Sequence, residues 1–369
     1  MPVDRSSHGR GASGKHAAAA ARLPPCKLRL ARSCMSFPNP VLIMPVPQTL
    51  LLTLAALALE AGAGYPAFVY RRIGHPVTWI GGWLACLERH LNQARFPPAL
   101  RRGLGALALG LLLGVAAVAA LALAAVLGAG MPGFVALALI ASSLIAQRSL
   151  DEHVRAVALA LESGGLPAGR QAVSMIVGRN PDVLDEAGVC RAAIESLAEN
   201  FSDGIVAPVF WMAFGGLLGA ALYKAANTAD SMIGHRSARY RAFGWAAARF
   251  DDCINLPASR LAALWLVLAA CVCSGASPKA ACASVWRDAS RHRSPNAGWP
   301  EAAMAGALGL QLAGPRVYDS ELVPDVCMGH GRRNATASDI FRALRLYRLA
   351  CLIQFLALAA IALLFTAPM

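Results

Sequence analysis

Residues 199–230 read ENFSDGIVAPVFWMAFGGLLGAALYKAANTAD, an apolar run closed at both ends by carboxylates, amides and a lysine. The run Ile205 to Leu222 approaches the roughly 20 residues a helix needs to cross the hydrocarbon of a bilayer. Charged groups beside lipid are costly and are usually retained for function. The surrounding segment Arg179 to Arg260 gathers Glu195, Glu199, Asn200, Asp203, Lys224, Asn227, Asp230, His235, Arg236, Arg249, Asp251, Asp252 and Asn255. A chain that only had to sit in a bilayer would not concentrate these groups there. We read the segment as a polar active site at a membrane surface.

Composition supports the membrane reading. The 369 residues are 57% hydrophobic and 15% charged, with a mean hydropathy of +0.50. A soluble globular chain carries about 25% charged residues. The net charge of +13 fits Lys/Arg-rich cytoplasmic loops. No nucleic-acid partner is expected, because the aromatics are not interleaved with the basic residues and no binding module is recognisable. An anionic substrate is the more economical second use of the cations. None of the ten cysteines forms a CxxC pair, so neither a zinc site nor a disulfide framework is expected.

Two regions are expected. Residues 1–45 are basic, Ala/Gly/Ser/Pro-rich and without periodicity, a composition that predicts a disordered extension. Its GRGASGKH string at 9–16 is close to a P-loop, but His16 replaces the magnesium-holding Ser/Thr and no strand precedes it. Residues 46–369 read as one membrane-embedded helical domain. Apolar segments fall at about 46–64, 104–128, 131–147, 205–222, 261–275 and 349–367. Strand alternation is absent, so the fold class is all-α: a polytopic integral membrane protein with polar catalytic loops on the cytoplasmic face. Loops 148–203 and 223–260 are both rich in Lys/Arg, which assigns both to the cytoplasm. A single crossing at 205–222 would separate them. Gly204, Pro208 and the pair Gly215–Gly216 predict a bent or re-entrant element instead.

Four stretches carry chemistry. In 179–204, Asn180 and Pro181 suit a helix start. Glu195, Glu199 and Asp203 are four apart and are expected on one helix face. Acidic residues in a last helical turn oppose the macrodipole, so they are not there for helix stability. A solvated face is the bland alternative; the functional one is Mg²⁺, which takes a few carboxylates together with substrate phosphates. In 223–260, Lys224 and Asn227 share a face with Asp230 beside them, and Asp251, Asp252 and Asn255 form a second cluster. Two acidic and amide clusters suit a divalent metal serving a phosphorylated substrate. His235 and Arg236 are candidates for its phosphate oxygens. In 286–309, Arg291, His292, Arg293 and Ser294 precede a turn at Pro295–Asn296 that enters a helix. Cations beside a helix N-terminus suit an anion. The fourth, GHPVTWIGGW at 74–83, contains His75, for which a structural role is the simpler reading.

The candidate metal ligands are therefore Asp230, Asp251, Asp252, Asn255, Glu195 and Asp203. Substrate contacts are expected from Asn227, His235, Arg236, Arg291, Arg293, Ser294 and Asn296, and catalytic roles from His292, Lys224 and Glu199. His292 has the unperturbed pKa of a base that can take an ammonium proton.

Taken together, the strings HPVTWIG, AENFSDGIVAPVFW, ANTADSMIGHR, FDDCINLPASR and HRSPNAGWPEAAMAGALG resemble the adenosylcobinamide-phosphate synthase family of cobalamin biosynthesis, over roughly residues 50–320. One departure is visible. The family tends to place an Asp in an LDLLLGDP-like string near the end of the first helix, whereas this chain has Glu60 followed by Ala61-Gly62-Ala63-Gly64-Tyr65-Pro66. The resemblance implies a multi-pass protein of the inner membrane with its active site facing the cytoplasm. It implies a carbon–nitrogen ligase that joins a side-chain carboxylate of adenosylcobyric acid to aminopropanol or its O-phosphate. ATP is the implied co-substrate and Mg²⁺ the implied cofactor. No nucleotide-binding fingerprint is present, so ATP rests on the resemblance. The implied partners are the corrinoid, the amine, the lipid bilayer and neighbouring pathway enzymes. Two other classes fit the residues alone: an intramembrane transferase acting on a prenyl or lipid diphosphate, and a non-catalytic membrane assembly partner.

Overall fold

The structure is a computed structural model that describes residues 45–366 except 129, 179, 236, 315, 319–320 and 324–325. The N-terminal extension expected to be disordered lies outside the described residues but for Pro45, as does Arg236. The helices are α1 (Val46–Ala63), α2 (Ala67–Ile73), α3 (Pro76–Leu91), α4 (Pro98–Leu127), α5 (Met131–Ser142), α6 (Gln147–Val173) and α7 (Glu186–Phe201). After a π-helical turn, Ser202–Val206, come α8 (Ala207–Ile233), α9 (Trp245–Ile254), α10 (Leu256–Val272), α11 (Pro278–Asp288), α12 (Gly298–Leu308) and α13 (Ala337–Thr366). Two short antiparallel pairs interrupt the helical fold, β1 (Leu312–Ala313) with β4 (Cys327–Met328) and β2 (Arg316–Tyr318) with β3 (Glu321–Val323). Among the described residues, five helical segments are long and apolar enough to cross a membrane, or six if the bent pair α9–α10 is one span. This is a polytopic all-α membrane protein.

The decisive local feature lies inside α8. Gly216 has φ 57° and ψ −144°, which breaks the helix in the middle of its apolar run. Glycine reaches this conformation without the clash a Cβ would bring. The two halves then fold against each other: a Cβ on Gly219 would stand 2.1 Å from the Trp211 carbonyl oxygen. The Tyr223 hydroxyl lies 3.0 Å from the Asp203 carbonyl oxygen. Twenty residues of straight helix would hold those groups about 30 Å apart. The run 205–222 is therefore a hairpin, the bent or re-entrant element its glycines predict.

Neighbouring elements brace this hairpin. The Thr49 hydroxyl of α1 donates to the Ala213 carbonyl near the tip, and the Ala146 N–H donates to Gly204 O at 3.1 Å near the mouth. Buried non-helical backbone is tolerated where protein satisfies it in this way. The returning half of α8 is rich in small residues, and Ala225, Ala229 and Ile233 pack on Leu84, Ala108 and Leu112 of α3 and α4. Small side chains allow such close helix approach in membrane proteins. The larger core joins Leu52 of α1, Leu137 of α5, Phe201 of α7, Leu266 of α10 and Tyr347 of α13.

Candidate active site

The hairpin carries the second acidic stretch back to the first. At its mouth the Tyr223 hydroxyl, 3.0 Å from Asp203 O, is also 2.9 Å from Asn255 Oδ1 at the α9–α10 junction. Asn255 then donates from Nδ2 to Asp251 Oδ2 at 2.9 Å. Asn227, one turn past Tyr223 on α8, donates to Asp251 Oδ1 at 3.4 Å. Both oxygens of the buried Asp251 are thus held by amides. Electrostatic contact extends the group. Lys224 feels Asp203 and Asp251, Asp203 feels Glu199, and Asp230 feels Asp252 and His235. Asp252 is paired with Arg249 at 3.3 Å.

The loop before α12 closes over the same junction. Asn296 donates from Nδ2 to the Asp252 carbonyl at 2.8 Å, while its Oδ1 accepts from Ser259 Oγ at 3.1 Å and Arg260 at 2.9 Å. The Arg260 guanidinium in turn sits 4.5 Å from the centre of the Trp299 ring, a cation–π distance. Three motifs far apart in sequence therefore meet around Asp251, Asp252, Asn255 and Asn296.

Several candidates stand elsewhere than the spacing suggests. Glu199 and Asp203 stay in electrostatic contact as the π-turn at Ser202–Val206 begins, but Glu195 parts from them. Glu195 is buried, and its Oε1 accepts the Ala313 N–H of β1 at 2.8 Å. It anchors that strand. His292 is turned inward: Nδ1 accepts the Ser294 N–H at 3.0 Å, and Nε2 lies 3.8 Å from the buried Glu301. With Nδ1 engaged and Nε2 buried against Glu301, the ring presents no nitrogen to a diffusing amine, which suits a positioning role. Ser294 Oγ accepts the N–H groups of Asn296 and Ala297, both at 3.2 Å. The turn's own amides are therefore taken, and an anion here is left to Arg291 and Arg293, both exposed. Asn296 itself serves as scaffold.

The metal candidates form an open set. Among the described residues, no three His, Cys, Asp or Glu side chains are gathered closely enough to make a preformed cage. Magnesium does not need one, since it keeps several waters and takes one or two carboxylates together with substrate phosphates. Asp252 with Asp251 and the Asn227 amide fit that demand.

Other residues were not evident from sequence. Tyr223 links the hairpin mouth to Asn255, and Ser259 and Arg260 clamp Asn296; all three lie in or beside motif strings whose acids drew attention first. His75 caps α3 in a capping box, its Nδ1 accepting the Val77 N–H at 3.2 Å. It also reaches the site: burial first and then the nearby Lys224 ammonium hold its pKa below the usual histidine value. Glu60, at the departure from the family's usual string, is buried and accepts the Arg148 N–H at 2.9 Å. Its carboxylate fixes the start of α6.

Comparison with known proteins identifies the family. The family model described as CobD/Cbib protein matches residues 53–347. A relative from Rhodobacter capsulatus named Cobalamin biosynthesis protein CobD is 50% identical over 299 residues, covering 80% of this chain and 92% of the relative. One of the same name from a Sinorhizobium species is 49% identical over 311 residues, covering 83% and 96%. Another from Brucella suis is 50% identical over 296 residues, covering 79% and 90%. No solved structure matches. With its motif strings meeting at one site, the chain belongs to the CobD/Cbib family of cobalamin biosynthesis proteins, the adenosylcobinamide-phosphate synthase family.

Proposed function

We propose that the protein is an ATP-dependent ligase of the inner membrane, with its site open to the cytoplasm. It would join the free carboxylate of adenosylcobyric acid to the amine of aminopropanol O-phosphate, giving adenosylcobinamide phosphate. The observation that carries this reading is the meeting of Lys224, Asn227, Asp251, Asp252 and Asn255 at the hairpin mouth, in a chain of this family.

A carboxylate is a poor acyl donor at neutral pH. In the proposed reaction its oxygen attacks the γ-phosphorus of ATP, and ADP leaves. The amine nitrogen then attacks the acyl carbon, and phosphate departs with that carboxylate oxygen. Once the acyl group is activated, positioning and charge neutralisation supply most of the acceleration. Asp252 and Asp251, with the Asn227 amide, would hold Mg²⁺, which neutralises charge on the nucleotide phosphates. Lys224 adds a fixed cation next to those carboxylates. Arg291 and Arg293 would take the phosphate of the amine. Glu199, exposed and beside Asp203, would accept the proton the ammonium must lose before attack. Asn296, Ser294 and His292 keep the loop that presents the arginines in place.

The test is mass spectrometry of products from purified protein given adenosylcobyric acid, Mg-ATP and either amine. An amide of the expected mass, with ADP formed in step, supports the ligase. Arg293→Ala should slow use of aminopropanol phosphate by about tenfold or more and plain aminopropanol much less. Equal losses for both amines would refute the phosphate role of Arg293. No amide from either amine would refute the ligase.

A further inference from the structure

Away from the acidic site, the molecule has a groove of about 680 Å³ between α6, α10 and α13. Its lining contains none of the site residues. Three arginines, Arg155, Arg345 and Arg348, face it beside Val272, Leu349 and Leu352. On α13, Phe341, Arg345, Arg348 and Leu352 fall at i, i+4, i+7 and i+11, so one helix face supplies cation and hydrocarbon together.

The charges in the groove do not cancel. Arg348 is held by Asp151 at 2.7 and 2.8 Å. The neighbouring Arg342 lies outside this face, pairs with Asp339 at 2.9 Å and donates to the Gly275 carbonyl at 2.9 Å. Arg155 and Arg345 have no acidic partner among the described residues, and both are exposed. The position of the groove is also informative. The first turns of α13 carry Asp339, Arg342, Arg345 and Arg348, whereas from Leu349 to Phe365 the helix has no charged residue. That change of composition is where a helix passes from water into hydrocarbon, and arginines there anchor at headgroup level. The groove straddles the change. Its apolar wall is open too, with Val272 67% and Leu352 51% exposed.

We propose that this groove binds an anionic phospholipid of the surrounding membrane. Arg155 and Arg345 hold the phosphate, and an acyl chain lies along Leu349, Leu352 and Val272. A soluble anion would use the cations but leave the apolar wall in water. A zwitterionic lipid would use the wall but bring its own cation to two arginines. Only an anionic amphiphile satisfies both, as basic pockets between membrane helices do for anionic headgroups. The proposal is independent of the reaction at the acidic site.

The test uses the purified full-length protein, stripped of lipid in neutral detergent. Native mass spectrometry and thermal shift are followed as phosphatidylglycerol, phosphatidylcholine, inorganic phosphate or ATP is added. The expected result is one saturable phosphatidylglycerol site that binds phosphatidylcholine far less. Combining Arg155→Ala with Arg345→Ala should weaken it by about tenfold or more, while Arg102→Ala elsewhere on the surface leaves it unchanged. Should the double variant fold poorly, the parent protein still decides the matter, because added salt should weaken phosphatidylglycerol binding and not the residual phosphatidylcholine binding. Equal affinity for the two lipids would overturn the proposal, as would salt-insensitive phosphatidylglycerol binding. Saturable binding of phosphate or ATP that the double variant loses would show a soluble-anion site and overturn it as well.

Discussion

Asp251 and Asp252 are adjacent in sequence but differ in what they can offer a ligand. Asp251 is buried with an amide on each oxygen, whereas Asp252 is half-buried and pairs with Arg249 at 3.3 Å. Asp252→Asn should lower turnover at least about tenfold at limiting Mg²⁺, roughly 1.4 kcal/mol, and raised Mg²⁺ should restore part of it. Asp251→Asn should lose as much or more and recover little. An Asn amide there would face the donor amides of Asn227 and Asn255, so its loss includes their positions. Steady-state rates across a magnesium titration check both, and full activity of both variants at limiting Mg²⁺ would remove these residues from the metal site. The acids and amides of this cluster were legible because charge in an apolar chain stands out. The inward turn of His292 was not, because nothing in a sequence tells which way an imidazole faces.

At the scale of elements, the hairpin decides whether the two acidic stretches meet. Its reversal rests on Gly216, whose backbone conformation a Cβ strains. Gly216→Ala should cost about 1–3 kcal/mol. Gly215→Ala, with nothing within 4 Å of the new carbon, should be nearly neutral. Thermal unfolding in detergent separates the two variants, and similar losses would mean that the reversal is not what Gly216 provides. The hairpin could be read from its Gly and Pro content and from the distribution of Lys/Arg around it. Its π-turn could not. A single inserted helical residue leaves no mark in composition, and neither does the burial of Glu195 against β1, which parts it from Glu199 and Asp203. The short strands were missed for a related reason: two- or three-residue pairings are too brief for alternation to register.

For the whole molecule, the hairpin implies that the polar loops lie on one side. Asp203, Asn255 and Asn296 come from loops 148–203, 223–260 and 276–300, and they are linked through Tyr223 and Ser259. Single cysteines at the exposed Ser163, Ser237 and Ser290, placed in a background without the native cysteines, should all react from the cytoplasmic side. Reaction of Ser237→Cys from the opposite side would break the single-face arrangement. The long apolar helices were legible from hydropathy. The order in which helices pack was not, since an apolar surface suits lipid and protein alike.

The central claim is that the corrinoid carboxylate is activated as an acyl phosphate before the amine attacks, and an isotope can follow that oxygen directly. Adenosylcobyric acid labelled with ¹⁸O in the reacting carboxylate is incubated with the protein, aminopropanol phosphate and Mg-ATP, and the released inorganic phosphate is weighed by mass spectrometry. The account predicts one labelled oxygen in each phosphate released, in step with amide formed. Amide formed with unlabelled phosphate, or with the label in AMP, would contradict it.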